Sequence, residues 1–196
     1  MPYVIGITGN IACGKSTVAR MLKQLGAEVI DADQVVHRLM RRGSNIWRRV
    51  IDEFGPSVLT PDGEIDRAAL GAIVFRDPNA LARLEAIVHP EVIRVISERV
   101  GESSAKVLVV EAVKLIESGL HKKCDSVWIV TCTREQQIER LMNERGLSRS
   151  DAEVRLQAQP ALDEKLKLAD VVIDNSGSED DTWRQVTKAW RSVIRE

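Results

Sequence analysis

The stretch that most constrains this chain is Gly9-Asn10-Ile11-Ala12-Cys13-Gly14-Lys15-Ser16, which fits G-x-x-x-x-G-K-[ST] and continues into Thr17. A short β-branched run, Tyr3-Val4-Ile5-Gly6-Ile7-Thr8, precedes it, and Val18, Met21, Leu22 and Leu25 follow at helical spacing. Strand, glycine loop and helix is the context in which such a loop can fold around an anion. Gly9 and Gly14 permit backbone conformations that a Cβ would forbid, so successive N–H groups from Gly9 through Thr17 can point inward at phosphate oxygens. The positive end of the following helix faces the same charge. Lys15 is expected to reach the β- and γ-phosphates as a mobile point charge, and the Ser16 hydroxyl to complete the shell of a Mg²⁺ ion.

Five short apolar runs, at 4–8, 28–31, 106–111, 126–131 and 170–174, lack the strict alternation of a half-wet sheet and are separated by helical patterns. They predict an α/β fold with a five-stranded parallel sheet covered by helices on both faces. In such sheets the site lies beyond the C-terminal strand ends, here Thr8, Asp31, Glu111, Thr131 and Asp174. Between Asp33 and Val100 the pattern changes. Helical stretches at 35–40, 46–54, 68–75 and 81–96 follow one another with no strand, punctuated by Pro56, Pro61-Asp62-Gly63 and Asp77-Pro78. The expected organisation is a core of residues 1–33 and 101–196 with a helical insertion at 34–100, and Gly101-Glu102-Ser103-Ser104 turning back into the sheet. A chain of 196 residues suits one domain carrying such an insertion.

Helix starts are expected at Thr133-x-x-Gln136, at Ser148-x-x-Asp151, and at Ser178 followed by Glu179, Asp180 and Asp181. The last helix should bury a stripe of Trp183, Val186, Trp190, Val193 and Ile194.

Composition closes off several classes. A net charge of −1 gives no overall basic field to hold nucleic acid. The longest aliphatic run, 107–110, is far too short for a membrane span, and the N-terminus begins on a strand without a signal-peptide layout, so the expected compartment is the cytoplasm. Cys13, Cys124 and Cys132 are odd in number and lack C-x-x-C spacing, which supports neither structural zinc nor a disulfide framework.

Choosing among nucleotide-binding classes needs a second signal. Asp31-Ala32-Asp33 closes the second strand, where one carboxylate could accept the proton of an attacking hydroxyl or help hold Mg²⁺ while the other caps the next helix; Asp33 is the preferred functional member. Residues 133–159 carry Arg134, Arg140, Arg145, Arg149 and Arg155. Arg134 and Arg149 read as solvated, whereas Arg140 sits beside Ile138, Leu141 and Met142 and should emerge near a core-facing edge. A helical pair at about 134–160 could close over ATP like a lid, its arginines stabilising charge on the transferring phosphoryl group. Arg38, Arg41, Arg42, Arg48 and Arg49 cluster after Asp33 and would suit an anionic acceptor, while His37 and His121 read as structural.

With these pieces in place, the chain resembles the dephospho-CoA kinase family over nearly its whole length. Residues 8–17 are similar to that family's T-G-x-I-x-x-G-K-S-T, and Val29-Ile30-Asp31-Ala32-Asp33 to its V-I-D-A-D. Asp62-Gly63-Glu64-Ile65-Asp66-Arg67, with Leu70 and Val74-Phe75, and Leu84-Glu85-Ala86-Ile87-Val88-His89-Pro90 resemble its next two signatures. Ile138-Glu139-Arg140-Leu141, Gly146-Leu147-Ser148 and residues 155–159 resemble its lid, and Ala169-Asp170-Val171-Val172-Ile173-Asp174-Asn175 with Gly177 the stretch that borders adenine. The resemblance implies a P-loop kinase that moves the γ-phosphoryl of ATP to the 3′-hydroxyl of dephospho-CoA, giving CoA and ADP in the last step of coenzyme A biosynthesis. It implies Asp33 as general base, Lys15 and Arg140 on phosphates, Ser16 on Mg²⁺, Asn175 beside the nucleotide, and Arg67, His89 and Glu111 on the acceptor side. Two departures stand out. Val113 and Lys114 replace the proline and leucine of D-[VI]-P-L-L-F-E, and Arg145 is displaced by one position, about 100° around a helix, from its place in R-L-x-x-R-D-G-L. Rival readings are another P-loop kinase acting on a nucleoside or nucleotide, and a GTP-binding switch; the latter wants N-K-x-D, where Thr187-Lys188-Ala189-Trp190 lacks the aspartate.

Overall fold

The computed structural model describes residues 1–194. Chain order is β1 (Tyr3–Thr8), α1 (Lys15–Gln24), β2 (Glu28–Asp31), α2 (Ala32–Leu39), α3 (Asn45–Phe54), α4 (Arg67–Val74), α5 (Pro78–Glu102), β3 (Val107–Glu111), β4 (Ser126–Thr131), α6 (Arg134–Arg145), α7 (Arg149–Gln157), α8 (Leu162–Leu166), β5 (Val171–Asp174) and α9 (Glu179–Val193). The chain divides into two compact units, one formed by Met1–Ile30 with the chain from Val100 onward, the other by Asp31–Arg99.

In the first unit the strands form one sheet in the order β2-β3-β1-β4-β5, with parallel pairing. Its central strands read as continuous apolar runs because both of their faces are covered: Ile5, Ile7, Leu108, Val109, Trp128, Ile129 and Val130 are fully buried. α1 and α9 contribute Val18, Leu22, Val186 and Trp190 to the same core. Two aspartates pin the register at the strand starts. Asp125 Oδ2 accepts from Val4 N and Asp170 Oδ2 from Val127 N, each at 2.7 Å, while the backbone N–H groups of Asp125 and Asp170 donate to Val4 O and Val127 O. β5 is an edge strand, and the Gln185 side chain of α9 both accepts from Asp174 N (2.9 Å) and donates to Asp174 O (2.8 Å), shielding the end of that edge. The connections leaving β1 and β3 lead to opposite sides of the sheet, and Ile7 lies opposite Glu111 in the ladder. The glycine loop and Glu111 therefore leave the sheet side by side, at the switch point where such sheets bind ligands.

The helix starts follow their caps. Thr133 with Gln136 and Ser178 with Asp181 form complete capping boxes, and the Ser148 hydroxyl accepts from Asp151 N. Ile194 departs from the expected stripe: it lies just past α9 and is 57% exposed.

The second unit is helical, with Ile46, Val50, Val58, Leu70, Val74, Ile87 and Val88 among its buried side chains. Here α5 is longer than the periodicity predicts. It starts at Pro78, where the Asp77 carboxylate accepts from Asn79 N (2.8 Å), and runs 25 residues straight through Pro90. Gly101 and Glu102 complete its last turn instead of ending it. The turn begins only at Ser103, whose hydroxyl accepts from Ala105 N (3.1 Å). Among the described residues no helix is long and apolar enough to cross a membrane.

Candidate active site

The glycine loop is built by crowding. Gly9 has φ +153° and Gly14 φ +94°; a Cβ on Gly9 would stand 2.3 Å from Val130 O, and one on Gly14 would stand 2.0 Å from Asn175 Nδ2. Ala12 also takes a left-handed φ, +58°. Four side chains from distant parts of this unit hold the loop's backbone. Gln159 Oε1 accepts from Ile11 N (2.7 Å) and Gln137 Nε2 donates to Ile11 O (2.7 Å). Arg140 Nη1 donates to Ala12 O (2.9 Å), and Asn175 Nδ2 to Cys13 O (2.9 Å). The other end of the Asn175 amide accepts from the buried Thr182 hydroxyl at 2.9 Å, which fixes its orientation. The carbonyls of Ile11, Ala12 and Cys13 and the N–H of Ile11 are fixed in this way.

Lys15 is buried, and its ammonium lies back over the loop on Gly9 O and Asn10 O, each at 3.2 Å. α1 begins at Lys15 after Gly14, which has no side chain to cap it, so the first N–H groups of that helix are available to an anion. Ser16 Oγ donates to Glu111 Oε1 at 2.7 Å. This pair of hard oxygens beside a lysine and a helix N-terminus fits Mg²⁺, which keeps several waters and takes few protein ligands alongside phosphate oxygens. Among the described residues no cluster of three His, Cys, Asp or Glu stands ready to hold a metal by itself. Burial pushes the Cys13 thiol up despite Lys15 and Arg140, and pushes Cys132 up to about 11, so both remain protonated near neutral pH.

The α6–α7 pair rests on the loop. Ile138, Leu141 and Ala152 form a small buried cluster against which Ile11, Ala12, Leu147 and Leu156 pack, so two loop residues belong to the core of the α6–α7 pair. Arg140 leaves this edge toward Ala12 O, whereas Arg149 pairs bidentately with Glu135 in solvent (2.6 and 2.7 Å).

In the second unit, the cap of the Asp31/Asp33 pair falls to Asp31, whose carboxylate accepts from Gln34 N at 2.9 Å; Asp33 lies in the first turn of α2. Arg67 opens α4 and its guanidinium meets His37 Nδ1, while His89 lies on α5 immediately before Pro90. Arg42 donates to Asp62 O (2.8 Å) and Trp47 Nε1 to Gly63 O (2.9 Å), holding the turn that precedes Arg67.

Glu111, which the resemblance puts on the acceptor side, meets Ser16, and Asn175, which it puts beside the nucleotide, turns its amide to the loop backbone. Gln137 and Thr182 were not singled out from sequence, and Gln159 entered only as the end of the 155–159 stretch that resembles the family's lid. Thr182 alone had a local signal, since it shares the i, i+4, i+8 stripe of Val186 and Trp190.

A phosphate loop between the first strand and first helix of a parallel five-stranded sheet, with glutamine and arginine reaching it from the helices after β4, defines a P-loop kinase. The model of the dephospho-CoA kinase family matches residues 3–181. The chain belongs to the dephospho-CoA kinase family and is an enzyme, a kinase of coenzyme A biosynthesis. It is 47% identical over 193 residues to the dephospho-CoA kinase of Symbiobacterium thermophilum, covering 97% of this chain and 81% of that one. Among solved structures it is similar to a Thermus thermophilus protein (36% identity, TM-score 0.85, 97% of both chains) and to the dephospho-CoA kinase of Campylobacter jejuni (30% identity, TM-score 0.71, 100% of this chain and 98% of that one).

Proposed function

We propose the following division of labour for transfer of the γ-phosphoryl of ATP to the 3′-hydroxyl of dephospho-CoA. The N–H groups of the glycine loop other than those of Ile11 and Cys13, which are already bonded, and the open end of α1 take the triphosphate. Lys15 exchanges Gly9 O and Asn10 O for phosphate oxygens, and Arg140 adds charge from the loop's lid side. Ser16 and Glu111 would hold Mg²⁺, which when bound neutralises phosphate charge. Asp33 accepts the proton of the 3′-hydroxyl as its oxygen bonds to the γ-phosphorus, and the bond to the bridging oxygen breaks to release ADP. Arg67, His89 and the arginines near α2 and α3 hold the anionic acceptor. Asn175 acts through the loop it braces. No membrane or nucleic acid enters the reaction, and the compartment is the cytoplasm.

The observation that carries this reading is the Ser16–Glu111 hydrogen bond, 2.7 Å, next to a lysine folded over a braced glycine loop. An assay of ADP release with dephospho-CoA against AMP, CMP and uridine tests it; preference for any of the three over dephospho-CoA overturns it. Asp33→Asn should lower turnover by about 10²–10⁴ while ATP affinity holds, and unchanged turnover would send the proton elsewhere.

A further inference from the structure

Among the described residues two lysines are buried. Lys15 is the phosphate-loop lysine; the other, Lys165 on α8, is 3% exposed and has no part in the mechanism above. Burying an ammonium is costly unless its donors are satisfied, and a residue serving only to fill space there would be apolar. The Lys165 ammonium donates to Val113 O (3.2 Å) and pairs with Glu117 Oε1 (3.1 Å). Val113 O also accepts from the fully buried hydroxyl of Thr8 (3.1 Å), the residue before the glycine loop, and Ala112 N donates to Ile7 O (3.0 Å). The chain two residues beyond Glu111 is therefore clamped between the end of β1 and a buried cation. Six residues before Lys165, Gln159 already holds Ile11 N, so one short arm after α7 grips both the loop and the segment that follows β3.

We propose that Lys165 is a positioning residue for the metal corner: by fixing the backbone at Val113 it sets the direction in which the Glu111 carboxylate leaves β3 toward Ser16. The inference rests on the reading that Ser16 and Glu111 hold the metal. Groups that orient a metal ligand typically change metal affinity by about 10–100-fold when removed.

The test uses the full chain with Lys165→Met and Lys165→Arg. The probe is Mn²⁺ in the presence of ADP, with free Mn²⁺ read by electron paramagnetic resonance, and amide exchange is measured without ligand. Lys165→Met should weaken Mn²⁺ binding about tenfold or more and speed exchange across residues 111–117 while residues 3–7 stay protected; Lys165→Arg, which keeps the charge, should recover most of both. Unchanged Mn²⁺ affinity in Lys165→Met, or a loss of activity that only tracks a lowered Tm, overturns the proposal, as does an arginine variant that folds and binds Mn²⁺ no better than methionine. Glu111→Gln serves as the separate control. If it leaves Mn²⁺ affinity intact, the metal reading itself fails, whatever Lys165 does.

Discussion

The phosphate loop and the turn at residues 60–66 are both glycine-bearing loops that lead into a helix, and they are built in opposite ways. The turn satisfies its own helix: the Asp66 carboxylate caps α4 by accepting from Ala68 N (2.9 Å) and Ala69 N (3.1 Å). The phosphate loop ends in Gly14, with no side chain to give, and leaves the first N–H groups of α1 for a ligand. The surroundings differ in the same sense. A Cβ on Gly63 would meet nothing nearer than the flexible Arg42 guanidinium, at 3.3 Å, whereas one on Gly14 would strike the buried, doubly bonded Asn175 amide at 2.0 Å. A loop that must receive an anion cannot cap itself, so its shape is imposed from outside by close-packed partners; the turn adds its own Asp66 cap to the outside bonds from Arg42 and Trp47.

The largest expected effect follows from that contrast. Gly14→Ala combines a left-handed backbone with expulsion of Asn175, which leaves Cys13 O unpaired. Together these should cost about 2–5 kcal/mol, visible in denaturant unfolding, and ATP affinity should fall about tenfold or more. Gly63→Ala has the same sign of φ, +83°, but only its backbone term, about 1 kcal/mol. In a chain of this size that lowers Tm by about 2–4 °C, with ATP affinity unchanged. Equal losses in the two variants would mean that the crowding around Gly14 relaxes freely, and the comparison would break.

The same contrast explains what could be read from sequence. The phosphate loop was legible because its chemistry is written within eight consecutive residues, and the strands fell within a residue of their expected bounds because buried parallel strands are continuous apolar runs. Asp31 as the cap and Asp33 as the remaining carboxylate followed from the first turn of α2. The braces were legible only in part. Arg140 and Asn175 were named for the nucleotide and not for the loop backbone, while Gln137 and Gln159 reach loop atoms 126 and 148 residues away, and no local spacing encodes which polar side chain will arrive there. Lys165 was hidden for the same reason: in sequence it is one more charge on a polar segment, and only the fold buries it beside Val113 O. α5 was underestimated at both ends because Asp77-Pro78 and Gly101 read as punctuation, whereas proline suits the first turn of a helix and glycine is tolerated in its last.

The smallest effect on stability sharpens the comparison most. Ala12 sits in the phosphate loop at φ +58°, where glycine would be relaxed, and it packs against Ile138, Leu141 and Ala152 of the α6–α7 pair. Replacing it by glycine relieves about 1–2 kcal/mol of backbone strain. Against that, the loss of one partly buried methyl costs at most about 0.8 kcal/mol and the freer unfolded chain about 0.4–1 kcal/mol. The terms nearly cancel, so Ala12→Gly should leave Tm close to that of the parent. What it removes is one of the two loop side chains that tie the lid's cluster to the phosphate loop. Amide exchange should therefore quicken across residues 138–152 while β1 and β3 keep their protection. Unchanged exchange there would show that the polar contacts of Gln137 and Arg140 suffice to hold the lid, and that the strain at Ala12 serves nothing in that contact.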